Sequence, residues 1–496
     1  MKFIIAIAIL LFAVPSIVHA KCAGVTSCSA SITSQSAVQA ALNSINRDGT
    51  VLTLTGSSAT WTTTITVNQT HSFTIQGATT CSGDPPTSCV DNTNITYGPA
   101  SDIPILTINT IAGKSLRVTG ITVRGGTTQS FNGAIKIAGS STAVRLDHNH
   151  WVNMVFTSLA IHCVNGVMDH TLFESAEIRF FNDCSDAAGH ATWAASTGFG
   201  SSGFFFLEDN TINTSRSLED CITGGTFVIR HNTFNLANGT AQAMEGHGTG
   251  HAGADRGCRA AEIYQNILNG GSSSSPVNVV YYLTSGPAML WGNVVNGFYK
   301  DFVTSHINRQ DTATYTQNPT PAGWGQCWGT PLAGVPGPSG WDQNTSGQND
   351  YACLDQPGRG RGDLLVGTFF TGGVTNSALG GIAWPRQALE PVYEWLNTIT
   401  PTGAFWSNFD PGVVQNRDYY LNWDGSGGVR TGTSLPGSCS GLQGFWNTST
   451  GTFYQCQGGS WVAYYTPYTY PHPLVTGGGG SPSAPNAPTN VQVVVH

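Results

Sequence analysis

The chain has 496 residues, only 10% of them charged and 61 of them glycine, and 20 Lys and Arg against 28 Asp and Glu leave a net charge of −8. An acidic chain repels phosphate backbones, so nucleic acid is not the expected partner. Sparse charge, abundant glycine and many Ser, Thr and Asn residues suit short strands and tight turns rather than long helices.

Residues 1–20 read as a secretory signal: Lys2 supplies the positive end, Phe3–Val14 the apolar run and Val18-His19-Ala20 a small-residue cleavage site. The run is too short to span a bilayer well, and no later stretch reads as a transmembrane segment. The expected product is a secreted, extracellular monomer. Twelve cysteines fit an oxidising compartment. Near neighbours suggest the pairs Cys22–Cys28, Cys81–Cys89, Cys163–Cys184, Cys327–Cys353 and Cys439–Cys456, leaving Cys221 and Cys258 to each other, although spacing alone does not fix connectivity.

Residues 21–50 read as an N-terminal cap. Within it, 36–46 form an amphipathic helix whose face carries Val38, Leu42 and Ile45 and plugs the first turn of a solenoid. Short strands follow at 51–54, 62–67, 73–75, 105–108, 116–118 and 134–137.

From 144 to 295 one phrase recurs six times. With Asn149, Thr171, Asn210, Asn232, Asn266 and Asn293 as position zero, the intervals are 22, 39, 22, 34 and 27 residues. Position −3 is always large and apolar (Leu146, Met168, Leu207, Ile229, Ile263, Leu290), and position +2 is always apolar. Alternation before the zero position gives a strand with one inward face, and Asn supplies a turn. A single copy cannot bury that face, so the copies stack with their strands in parallel. The fold class is therefore all-β: a right-handed parallel β-helix over 51–300.

The phrases "RLDHNHW", "VIRHNTF" and "AAEIYQN" resemble the pectate-lyase-like superfamily. Beyond residue 301 the pattern fades into a loop-rich, Trp-rich region to 475, with a helix turn expected within 384–395 and a disulfide-tied hairpin module at 438–466. Its phrases "CLDQPGRG", "WPRQALEPVYEW", "NRDYY" and "YTPYTYPHPL" resemble the tail of secreted bacterial β-helix proteins. Residues 476–496 read as a linker and the first strand of a truncated fibronectin-type module.

Outward residues of stacked strands form columns. Position −2 reads Asp147, Asp169, Glu208, Arg230, Tyr264, Trp291, and position −1 includes His148, His170 and His231. Such a column suits a groove for a polysaccharide, with Arg230, His231, Glu208, Tyr264, Trp291, Asp147 and Asp169 as binding residues. The plainer alternative is turn chemistry facing water. A Gly-rich insertion carries His247, His251, Arg256, Arg259 and Glu262, read as catalytic; the alternative is a connector pinned through Cys258 whose Arg and Glu pair structurally.

The resemblance implies β-elimination on a uronate polymer, with Arg259 or Arg256 as base and calcium as a candidate cofactor. The paired-Asp calcium signature and the Arg-Pro-Arg segment of pectate lyases are absent. A second reading is hydrolysis of the polygalacturonase type, from "GHG" at 246–248 and "EDC" at 219–221, with Glu219 and Asp220 as carboxylates. A third is a glycan-binding or surface protein without catalysis.

Overall fold

The computed structural model describes residues 22–128, 130–184, 189–248, 256–306, 355–362, 387–408 and 413–476. The signal segment 1–20, His251, the Cys327–Cys353 pair and the linker beyond 476 lie outside them.

The chain coils as a three-faced parallel β-helix. The first face is a 12-stranded sheet from Ser27–Ser31 to Tyr419–Tyr420; the second and third join in an 18-stranded sheet because the long strands Val294–Ser305 and Thr398–Asn408 run through both. The expected inward column lines up in register on the first face: Val118↔Leu146, Leu146↔Met168, Met168↔Leu207, Leu207↔Ile229, Ile229↔Ile263 and Ile263↔Leu290. All six predicted members are at most 3% exposed. Replacing Ile229 by Ala is expected to cost about 2–5 kcal/mol, read from a denaturant midpoint.

The turn departs from expectation in one detail. The left-handed residue is at position −1 (His148, His170, Asp209, His231, Gln265, Gly292), not at Asn. That kink breaks regular strand pairing and strands two groups of each rung, the carbonyl at −3 and the N–H at zero. The Asn one rung on answers both. Asn266 Oδ1 accepts from Asn232 N at 3.0 Å and its Nδ2 donates to Ile229 O at 2.9 Å; Asn210, Asn232 and Asn293 repeat the pattern. A side-chain amide offers an acceptor and a donor on two separate atoms, spaced to reach both groups at once. Asn266→Leu is expected to cost about 2–6 kcal/mol, the loss of two buried partners at about 1–3 each, in the same denaturant assay.

The ladder does not stop at Asn293. Asn293 N donates to Asn397 Oδ1 at 2.9 Å across a sequence gap of 104 residues, and Met289, Leu290 and Trp291 pair with Tyr393, Glu394 and Trp395. Residues 392–399 are therefore a seventh copy of the phrase. The helix turn expected within 384–395 is instead the strands Gln387–Leu389 and Val392–Trp395, because the alternation at Val392–Trp395 matches an open rung edge.

In this seventh copy Glu394 occupies the inward −3 position. It is fully buried, takes a 2.6 Å hydrogen bond from Asn397 Nδ2, and burial pushes its carboxyl up from 4.5 to about 7. Above pH 4.5 the unfolded chain gives up this proton while the fold keeps it to about 7, so stability falls across that window. Glu394→Gln should therefore gain about 1–3 kcal/mol over the native chain at pH 8 relative to pH 5.

The N-terminal end is plugged by the helix Gln35–Asn43, capped by Ser34 and burying Val38, Ala41 and Leu42. Among the described residues five disulfides form, Cys22–Cys28, Cys81–Cys89, Cys163–Cys184, Cys221–Cys258 and Cys439–Cys456. No helix among the described residues is long and apolar enough to cross a membrane. The C-terminal module is a four-stranded sheet, Val429–Gly432, Gly444–Asn447, Thr452–Gln457 and Ser460–Tyr465, whose trailing segment to 475 lies across the first face.

Candidate functional site

The −2 column points outward, but it is not a groove. Asp147, Asp169, Glu208 and Arg230 are 0% exposed, Tyr264 1% and Trp291 5%. Arg145 binds Asp169 at 2.8 Å and the carbonyls of Leu474 and Val475; Arg117 binds Asp147 at 2.6 Å. Arg230 binds Glu208 at 2.6 Å and donates to Tyr264 Oη, Tyr468 O and Thr469 O. Glu208 also accepts from His472 N at 2.7 Å. Tyr264 stacks on Trp291 at 4.7 Å, and Trp446 of the module covers Trp291 at 5.0 Å. His231 stacks on Tyr470 at 3.6 Å, and burial, then Arg230, pushes its ring down to about 3. The residues expected to bind sugar are thus buried, or half-buried at His231: Glu208, Arg230, His231 and Trp291 meet the C-terminal segment and module directly, Asp169 binds the Arg145 that holds Leu474 and Val475, and Asp147 pairs with Arg117.

The insertion residues are scaffolding as well. Arg256 pairs with Asp355 and Arg259 with Glu390 at 2.8 Å; both are at most 1% exposed and hold Trp193 at 4.9 and 5.0 Å. Arg259 also donates to Ala195 O at 3.0 Å. Glu262 is fully buried and accepts from Gly200 N and Tyr465 Oη. This is the disulfide-pinned connector, with Cys258 bonded to Cys221. Arg256, Arg259 and Glu262, expected from sequence as catalytic residues, instead each find their partners inside the protein.

His247 is different. It lies on the third face, half-buried, two residues after Glu245, with Nδ1 3.0 Å from Gly248 O. On this face the register places Lys136, Ala160, Arg179, Asp220, Glu245 and Tyr282 side by side on successive rungs. The strands there are Ile135–Gly139, Thr157–His162, Glu177–Phe181, Glu219–Cys221, Gln242–Gly246 and Val277–Leu283. Adjacent members sit ~4.8 Å apart along the stack. Arg179 reaches Asp220 at 3.1 Å and Glu177 at 3.1 Å, and Thr157 Oγ1 donates to Glu177 at 3.0 Å. Gln242 Nε2 donates to Glu245 Oε2. The side chains of Arg179 and Asp220 keep 17% and 13% of their surface open, which separates this cluster from the sealed first face. Next to it, His162 Nδ1 lies 2.9 Å from Asp183, and the ring stacks on Phe181 at 4.2 Å.

Burial and the charges of Asp220 and Glu177 push the Glu245 carboxyl up to about 8. It therefore carries a proton at neutral pH. Glu219 points inward instead, fully buried and accepting from Glu245 N at 2.8 Å, and burial raises it well above the usual range. Of the two carboxylates offered by "EDC", only Asp220 faces outward, and its partner is Glu245 on the next rung.

Arg179, Glu177 and Glu245 were not singled out as a cluster from sequence; the alternation of the third strand in each rung is the signal that marks them. Among the described residues the one group of three ligand-type side chains close enough to share an ion is Cys163, Asp183 and Cys184, and its sulfurs are joined as a disulfide. No donor set for calcium is offered there. No family model, curated protein or solved structure matches this chain.

Proposed function

We propose that the protein is a glycoside hydrolase that cleaves a polysaccharide laid along the third face, with Glu245 as general acid and Asp220 as the second carboxylate. The parallel β-helix and the disulfides fit a secreted carbohydrate-active protein, and the resemblance of "RLDHNHW" and its companions to the pectate-lyase-like superfamily agrees with that. The observation that carries the reading is the pair itself: two outward carboxyls on adjacent rungs, one protonated to about pH 8 by its surroundings, the other 3.1 Å from a guanidinium.

Hydrolysis needs this division of labour. Glu245 gives its proton to the departing glycosidic oxygen, and Asp220 serves the sugar carbon, directly or through a water. Gln242 fixes the acid, and Arg179 fixes Asp220 from the opposite side.

Elimination on a uronate polymer is the second reading. Arg179 favours it, since a guanidinium can pair with a uronate carboxylate while a base takes the neighbouring proton. One assay separates the two. A panel of xylan, cellulose-type glucan and polygalacturonate is incubated with the purified chain, with and without calcium. New reducing ends without ultraviolet absorbance support hydrolysis; unsaturated, absorbing products overturn it in favour of elimination; binding without products supports a glycan-binding role.

A further inference from the structure

Two aromatic rings stand beside the carboxylate pair and serve neither the core nor the chemistry described so far. Phe131 keeps 42% of its surface exposed. Its ring lies 4.3 Å from that of Phe156, which is half-buried. The Arg179 guanidinium rests over both, 4.9 Å from the Phe156 ring and 5.8 Å from that of Phe131. Arg216 closes the far side, 6.0 Å over Phe156 and donating to Val155 O. One guanidinium thus touches the aromatic pair and the Asp220 carboxylate together.

The exposure of Phe131 is not the looseness of a loop tip. Ser130 is 1% exposed and donates to Thr157 O, and Asn132 binds Asp102 through its N–H and its amide, both at 3.1 Å. Gly133 is left-handed at φ 80, and a Cβ there would lie 2.8 Å from Ala160 N, so the backbone is pressed against the next rung. The ring is held out into solvent between two anchored neighbours, an arrangement that costs hydration free energy unless something flat and apolar covers it.

We infer that Phe131, backed by Phe156, is a sugar-stacking subsite that takes a distal pyranose ring of the same polysaccharide chain; this rests on the hydrolase reading for the identity of the chain. The strand that follows Phe131 is three rungs before that of Asp220, but the Arg179 guanidinium lies over both rings and meets Asp220 at 3.1 Å, so ring pair and carboxylate are one guanidinium apart. A sugar chain of more than one ring is needed to engage both, and it would run along the helix axis over Arg179. The apolar C–H face of a pyranose is the complement of an exposed ring, while its hydroxyls meet Arg179 and Arg216.

The test measures binding of tri- and hexasaccharides of xylan, glucan and polygalacturonate by calorimetry, using the Glu245→Gln chain so that turnover during the titration is small. For the oligosaccharide series that binds, the hexasaccharide should be held more tightly than the trisaccharide. Phe131→Ala should reduce that advantage roughly 3–10-fold, the worth of one aromatic contact, and Phe131→Trp should keep it. Undiminished length dependence in Phe131→Ala, or no binding by any member of the panel, overturns the subsite. If length-dependent binding through Phe131 holds while the native chain releases no reducing ends, the subsite stands and the hydrolytic reading falls.

Discussion

Replacing Glu245 by Gln is expected to lower hydrolysis by about 10²–10⁴-fold, the contribution of a positioned general acid, without a comparable loss of substrate binding. The amide keeps the size of the carboxyl and still meets Gln242, but it has no proton to give. The pH profile carries the sharper signature. An acid catalyst works while protonated, so native activity should decline as pH rises through about 8, the value to which burial and then Asp220 and Glu177 push Glu245. The residual activity of Glu245→Gln should lack that alkaline limb. Asp220→Asn should abolish turnover as well and move the Glu245 titration downward, because the negative charge that helps to hold its proton is gone; the shift can be read from the pH dependence of binding. An alkaline limb unchanged in Glu245→Gln would remove Glu245 from the reaction.

Arg230→Ala tests the sealed face. The change leaves Glu208 with both oxygens inside the protein and only the His472 N–H for company. Stripping one partner from a buried ion pair costs about 3–5 kcal/mol. The Tyr468 and Thr469 carbonyls lose their donor too, so limited proteolysis should cut the 466–476 segment sooner. Removing both charges as Glu208→Leu with Arg230→Met should recover most of the stability, because two apolar groups of similar volume need no partner. In the folded fraction the KM for polysaccharide should not change. A raised KM with unchanged stability would instead restore Arg230 as a sugar ligand.

What was legible in the sequence follows from where the chain has no freedom. The corner between the first and second faces has a fixed length and a fixed need, an amide one rung up, so Asn sits at a constant distance from an inward apolar residue and the solenoid is readable from Asn149 to Asn293. Asn397 obeys the same rule but arrives 104 residues later, beyond any repeat spacing. The third face has no such marker. Its strands follow corners of varied length, so the adjacency of Arg179, Asp220 and Glu245 appears only once the register is known. "EDC" and "GHG" mark Asp220 and His247 in the sequence, but not the rung neighbours that surround them. The reading of the −2 column failed for another reason: alternation tells which way a side chain faces, not what lies over it, and what lies over Arg145 comes from 329 and 330 residues away.

That distance has a consequence for how the molecule is made. Each rung pairs with the one before it, so the coil can wind up from the N-terminus as the chain emerges. Arg145, Glu208 and Arg230, however, complete their partners only when residues 465–475 are laid across them. A nascent chain short of that segment is a wound solenoid with a wet, charged seam and an uncovered aromatic row. Closing the seam brings together groups at the greatest separations in the chain, the slowest kind of contact to form. Residues 465–475 therefore act as a latch, and a molecule cut short before Tyr465 would be wound but unlocked, open to proteases along the same face that they seal.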